Sequence, residues 1–314
     1  MTSLYRRHRP TSFAEVIGQD YIVKILQNQI ANKKIAHAYL FCGSRGTGKT
    51  TIAKIFAREI NGNAKGGADL DIFEIDAASN NSVQDVRDLI DKVKYPPVAS
   101  TYKIYIIDEV HMFSASAFNA FLKTLEEPPA HTIFILCTTE PTKIIPTVQS
   151  RCLRFDFRPA TDADIKKLLS TVMKKEKLSA DAPAIEMLAT AGSGSFRDAL
   201  SYAETVAGFT NGAPITEIHV AEVLGTVPPE LLRTLFTHIK SNKISDIKST
   251  CKKIFERGIN TNLLVKNFLE TVKTETPFEP HIFRTFAELE MSIKSSLDPR
   301  IHFENTCLLA CGGK

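Results

Sequence analysis

An α/β fold, with a parallel five-stranded sheet continued by an all-helical remainder, is what this 314-residue sequence predicts. Three observations carry that expectation. Apolar strand-like runs alternate with amphipathic helix-like segments through the first half, a glycine-rich turn joins the first strand to a helix, and no strand pattern follows Pro159. The first strand is the short apolar run 38–41, stopped by Gly43. Helical spacing follows over 50–60 through Ile52, Ile55, Phe56 and Ile60, then a strand over 72–75. A helix is expected over 82–93, a third strand over 103–107 and a helix over 114–126. The runs 132–138 and 154–157 supply the fourth and fifth strands. Strands this apolar, separated by helices, belong in a parallel sheet covered on both faces.

Past Pro159 the pattern is helical. Thr161-Asp162-Ala163-Asp164 has the polar residues of a helix start, and the segments up to Leu224 read as a small bundle. Gly225-Thr226-Val227-Pro228-Pro229 is a breaker cluster, beyond which helical patterns occupy 231–239, 244–255, 263–272, 282–293 and 301–309. The expected domains are therefore 1–159, 160–225 and 226–314.

Composition narrows the class. Hydrophobic residues at 43% supply several cores without a disulfide or metal staple, and a net charge of +4 permits a basic face without requiring one. The six cysteines form no CxxC pair, so zinc is not expected from spacing, and reduced buried thiols are the simplest reading. Met1-Thr2-Ser3-Leu4-Tyr5-Arg6-Arg7 lacks the apolar stretch of a signal peptide. No run approaches the ~20 apolar residues of a membrane span. The expected compartment is the cytoplasm, where thiols stay reduced.

The chemistry concentrates in two segments. Gly43-Ser44-Arg45-Gly46-Thr47-Gly48-Lys49-Thr50 fits GxxxxGK[ST], followed by Thr51. The glycines let backbone N–H groups wrap a phosphate, and the helix that follows adds its positive end. Lys49 is expected to reach the β- and γ-phosphates and the Thr50 hydroxyl to ligate Mg²⁺. The apolar run Ile104-Tyr105-Ile106-Ile107 ends in Asp108 and Glu109, which places both carboxylates at the carboxyl edge of the sheet. Asp108 suits the Mg²⁺ shell and Glu109 the attacking water. Thr138 and Thr139 close another strand; they either position water or simply fill the strand. Arg151 and Arg197 are cations in apolar settings, either solvated or directed at phosphate.

With those residues in view, the sequence resembles the gamma/tau subunit family of bacterial DNA polymerase III, the ATPase of the replicative clamp loader. The motifs are Arg9-Pro10-x-x-Phe13-x-x-Val16-Ile17-Gly18-Gln19, His37-Ala38-Tyr39-Leu40-Phe41, and Ile75-Asp76-Ala77-Ala78-Ser79-Asn80. Further along come Asp108-Glu109-Val110-His111-Met112, the Leu125-Glu126-Glu127-Pro128-Pro129 run, Ser150-Arg151-Cys152 and Arg197-Asp198-Ala199-Leu200. The resemblance implies an AAA+ core at 1–159, a helical lid at 160–225 and an oligomerising collar at 226–314. It implies ATP and Mg²⁺ as ligands, with Arg9, Pro10 and Ile17 against adenine. Arg151 is then a finger acting on a neighbouring subunit, Arg197 a lid sensor acting in its own site, and Thr138 and Thr139 the core sensor. The implied partners are delta and delta prime in a pentameric ring, the sliding clamp, and primer–template DNA bound independently of sequence.

Two departures from the family pattern stand out. The family's four-cysteine zinc module is replaced by the cysteine-free stretch 61–70, so no zinc is expected. The sequence also stops after the collar region, which leaves a gamma-like form, a shortened tau or a divergent paralogue open. A scaffold paralogue that binds ATP but hydrolyses it weakly is the competing function, disfavoured by the full set Lys49, Thr50, Asp108, Glu109 and Arg197. A helicase reading of Asp108-Glu109-Val110-His111 needs a second motor domain, which the helical remainder does not provide.

Overall fold

The computed structural model describes residues 3–62, 68–256 and 259–311, so residues 63–67 of the cysteine-free stretch lie outside the described residues. Two compact units emerge: Met1–Val172 with Ala189–Ser201, and Met173–Leu188 with Tyr202–Lys314.

The first unit holds the expected sheet. Strands β1 (Ala38–Cys42), β2 (Ile72–Asp76), β3 (Lys103–Asp108), β4 (Thr132–Thr138) and β5 (Leu153–Asp156) pair in parallel in the order β2-β3-β4-β1-β5. Successive side chains of a strand point to opposite faces, and the apolar runs supply both. Leu40, Tyr105, Ile107, Phe134 and Leu136 enter one core with Val86 and Phe121, from the helices Val83–Val93 and Ala115–Glu126. Tyr39, Phe41, Ile106 and Ile135 enter the other with Ile52 and Phe56 of the helix Lys49–Ile60. Full burial of each such side chain stabilises by about 1.5–3 kcal/mol, so these runs are committed to the sheet centre. The outer strand β2 is less covered, with Phe73 and Glu74 exposed.

The register positions the functional ends. Cys42 pairs with Thr138, and Asp76 with Asp108. The loop after β1, the acids after β3 and the threonines after β4 therefore leave one edge of the sheet. The helix Asp20–Ala31 was not legible in the sequence: only Ile22 and Leu26 are buried, while Tyr21 and Ile25 are exposed and blur the apolar period.

In the second unit, the helices Pro229–Lys240, Ile244–Phe255, Thr261–Thr274, Pro280–Ser292 and Pro299–Cys311 surround a core centred on Phe268, Phe286 and Phe303. The Phe268 and Phe286 ring centroids lie 4.4 Å apart. No helix among the described residues is long and apolar enough to cross a membrane.

Candidate active site

The β1 strand delivers the chain into a loop whose shape only glycine accepts in places. Gly46 has φ +76°, and a Cβ there would fall 2.0 Å from Ser195 Oγ. Gly48 has φ +101°, the left-handed conformation from which Lys49 starts the helix. The Gly46 carbonyl accepts from Phe196 N at 3.1 Å, which ties the loop to the segment carrying Arg197. Lys49 is folded onto its own loop, donating from Nζ to Gly43 O at 2.8 Å and Ser44 O at 2.9 Å. Burial pulls its ammonium below the usual value, while Glu109 and Asp108 pull the other way.

At the end of β3, Asp108 Oδ2 accepts from the Thr50 hydroxyl at 2.8 Å. Glu109 takes a left-handed backbone, φ +49°, uncommon for a side chain of this kind and costing roughly 1–2 kcal/mol. That turn re-aims the chain after the strand, and such outliers gather where function over-determines the backbone. Glu109 Oε2 accepts from Thr139 Oγ1 at 2.9 Å and from Thr139 N at 3.3 Å. The Thr50 hydroxyl and Asp108 carboxylate are hard oxygen donors on adjacent elements. They fit Mg²⁺, which takes one or two protein oxygens and fills its shell with water and phosphate.

A cleft of about 670 Å³ opens over this edge, lined by Arg45 to Thr51 of the loop and the first turn of the helix, by Asp108 and Glu109, and by Arg197. That volume suits a small-molecule ligand. Arg9, Pro10 and Ile17, the three residues expected against a base, line it too. Arg9 Nε donates to Thr51 Oγ1 at 2.9 Å, which commits the Thr51 hydroxyl to Arg9. Burial lowers the Arg9 pKa, with Glu74 opposing it. Arg197 lies over the Tyr5 ring, 5.5 Å from its centroid.

Other expected residues lie elsewhere. Gly43, Thr138 and Thr139 do not line the cleft. The Thr138 hydroxyl is fully buried, accepting from Glu140 N at 3.0 Å and lying 3.1 Å from His111 Nδ1. Thr139 is thus the threonine that meets Glu109. Arg151 is outside the cleft, paired with Glu126 at 2.5 Å and donating to Thr147 O at 2.7 Å. Sequence reasoning missed Tyr5, Glu74 and Glu140, and gave His111 no role in the site. Tyr5, Glu74 and Glu140 carry no motif signal; His111 stands two residues past Glu109, where a turn rather than a strand decides its direction.

The strand order, the phosphate-loop geometry and the acids at the end of β3 define a P-loop protein of the AAA+ class. The fold is also that of the Thermotoga maritima RuvB Holliday junction branch migration motor, at TM-score 0.57 and 18% identity over 86% of this chain and 93% of that one. Residues 18–161 match the family model "DNA polymerase III, delta subunit", and residues 164–208 match "DNA polymerase III clamp loader subunit, ATPase lid domain". The chain is 43% identical to the tau subunit of Bacillus subtilis over 85% of its length and 50% of the relative's. It is 36% identical to the Escherichia coli tau subunit over 85% of its length and 44% of the relative's. Against the gamma subunit of Buchnera aphidicola subsp. Baizongia pistaciae it is 36% identical over 84% of its length and 75% of the relative's. The delta model matches the core segment alone, whereas the gamma and tau alignments run through most of the chain and decide the assignment. The chain belongs to the DNA polymerase III gamma/tau family. It spans about half the length of the tau relatives it matches.

Proposed function

We propose that this chain is an ATP-hydrolysing motor subunit of a bacterial replicative clamp loader. The observation that carries the reading is the 2.8 Å contact between Thr50 and Asp108 beneath a phosphate loop, with Glu109 at the next position. Loop N–H groups and Lys49 hold the β- and γ-phosphates of ATP, and Arg9, Pro10 and Ile17 face the base. Thr50 and Asp108 would hold Mg²⁺, which would supply neutralisation of charge on the phosphate oxygens. Glu109, fixed through Oε2, orients and polarises the attacking water. Arg197 leaves the Tyr5 ring to meet phosphate from the same chain. Arg151 serves a neighbouring subunit's nucleotide, which is supported by its place outside the cleft of its own chain.

An arginine–phosphate contact made only in the closed assembly makes ATP binding shift the population toward that state. We assign the partners as delta and delta prime in a pentameric ring, the sliding clamp, and primer–template DNA gripped through its phosphates. The domain boundaries we assign are 1–159, 160–225 and 226–314, and the compartment is the cytoplasm. ATP turnover by the chain, alone and in the complex with delta, delta prime, clamp and primed DNA, tests the reading. Clamp and primed DNA should raise turnover, with a salt dependence set by phosphate contacts. Nucleotide binding without turnover in the full mixture would instead make the chain a scaffold subunit.

A further inference from the structure

His111 sits on the turn Val110–Met112 with its side chain only 7% exposed, between two carboxylates. Its Nδ1 lies 3.4 Å from Glu109 Oε2, and its Nε2 lies 3.3 Å from Glu140 Oε1. The Thr138 hydroxyl completes the cage, linking His111 Nδ1 to the backbone N–H of Glu140. The hydrogen bond of the ring is with Thr138 Oγ1, while the two carboxylates lie at ion-pair distance, and Glu109 Oε2 is the carboxylate oxygen that Thr139 also holds. A buried imidazole aimed at two acids is polar and specific in direction, unlike a filler of core volume.

We propose that His111 is a positioning residue for Glu109, oriented in turn by Glu140. Thr139 hydrogen-bonds Oε2 and His111 Nδ1 packs at 3.4 Å from the same oxygen, so together they restrict the rotation of the carboxylate and leave Oε1 to meet water. The left-handed backbone at Glu109 sets where the side chain leaves the chain, and Thr139 and His111 act on the carboxylate at its far end. Glu140 joins the end of β4 to the short turn Pro141–Lys143, and Lys143 pairs with it at 3.0 Å. The same segment leads on to the helix Pro146–Gln149 and Arg151. The Glu109–His111–Glu140 line thereby connects the water-orienting acid of one site to the stretch that carries the finger for the next.

This inference rests on the ATPase reading above, and its test separates the two. Turnover and ATP affinity are measured in the assembled complex for the wild type, His111→Leu, His111→Gln, Glu140→Gln and the His111→Leu/Glu140→Gln pair. Misplacing a catalytic group by about an ångström costs up to ~100-fold. His111→Leu should therefore lower kcat roughly ten- to a hundredfold while ATP affinity stays within about twofold. His111→Gln, which keeps one donor, should recover part of the rate. Glu140→Gln alters an exposed side chain and should give a smaller loss of kcat, which vanishes when His111 is already Leu. Wild-type kcat in His111→Leu, equal loss of rate and affinity, or simple additivity of the two changes overturns the positioning role. A wild-type complex that binds ATP without turning it over overturns the ATPase reading, and this inference with it.

Discussion

Gly46 illustrates how little freedom individual positions have at this site. Its backbone is left-handed and its Cα faces Ser195, so an added methyl meets both a conformational and a steric obstacle. The left-handed conformation alone costs an L-residue about 1–2 kcal/mol. Gly46→Ala should therefore weaken ATP binding roughly tenfold, at about 1.4 kcal/mol per factor of ten. Adding Ser195→Gly removes the clash but not the backbone cost, so the double variant should regain only part of the affinity. Wild-type affinity in the single variant, measured with a fluorescent ATP analogue, would contradict this account. Gly46, Lys49, Thr50 and Asp108 were all legible in the sequence, because phosphate and Mg²⁺ chemistry demands those residue types at fixed spacing. The partner of Gly46 was not, since Ser195 is far away in the chain and only folding brings it close.

At the scale of elements, local signals and tertiary packing share the decision. The helix Val83–Val93 opens with a capping box: Asp85 N donates to Ser82 Oγ at 3.2 Å and Ser82 N to Asp85 Oδ2 at 3.1 Å. Loss of such a cap costs about 1 kcal/mol. Ser82→Ala should lower the urea midpoint of the first unit accordingly, with the unfolding slope and ATP affinity unchanged; an unshifted midpoint would show that the cap is redundant. This helix was legible because Ser82, Asp85 and the apolar period agree with one another. The helix Asp20–Ala31 was not, because its buried stripe is narrow and apolar side chains also face solvent. Its place is decided by Ile22 and Leu26 meeting the sheet side of the Lys49–Ile60 core.

For the whole molecule, the decisive residue is Arg151, which does not line the cleft over the phosphate loop of its own chain. Its guanidinium rests on Glu126 and the Thr147 carbonyl. On our reading it leaves these for a neighbour's phosphate when the ring closes. Arg151→Ala should leave the ATP affinity of the isolated chain intact while lowering turnover of the complex roughly a thousandfold, the scale of a lost arginine finger. Weaker ATP binding by the isolated variant would place Arg151 in its own site instead. By itself, the sequence determined the parallel α/β core, the phosphate loop, the acids after β3 and the helical remainder. Those features are written in local periodicity and in fixed residue spacing. Only the tertiary structure decided that Thr139 rather than Thr138 meets Glu109, that Arg9 engages Thr51, and that His111 lies between Glu109 and Glu140. These depend on strand register and on one left-handed turn, which set side-chain direction across segments that no local pattern connects.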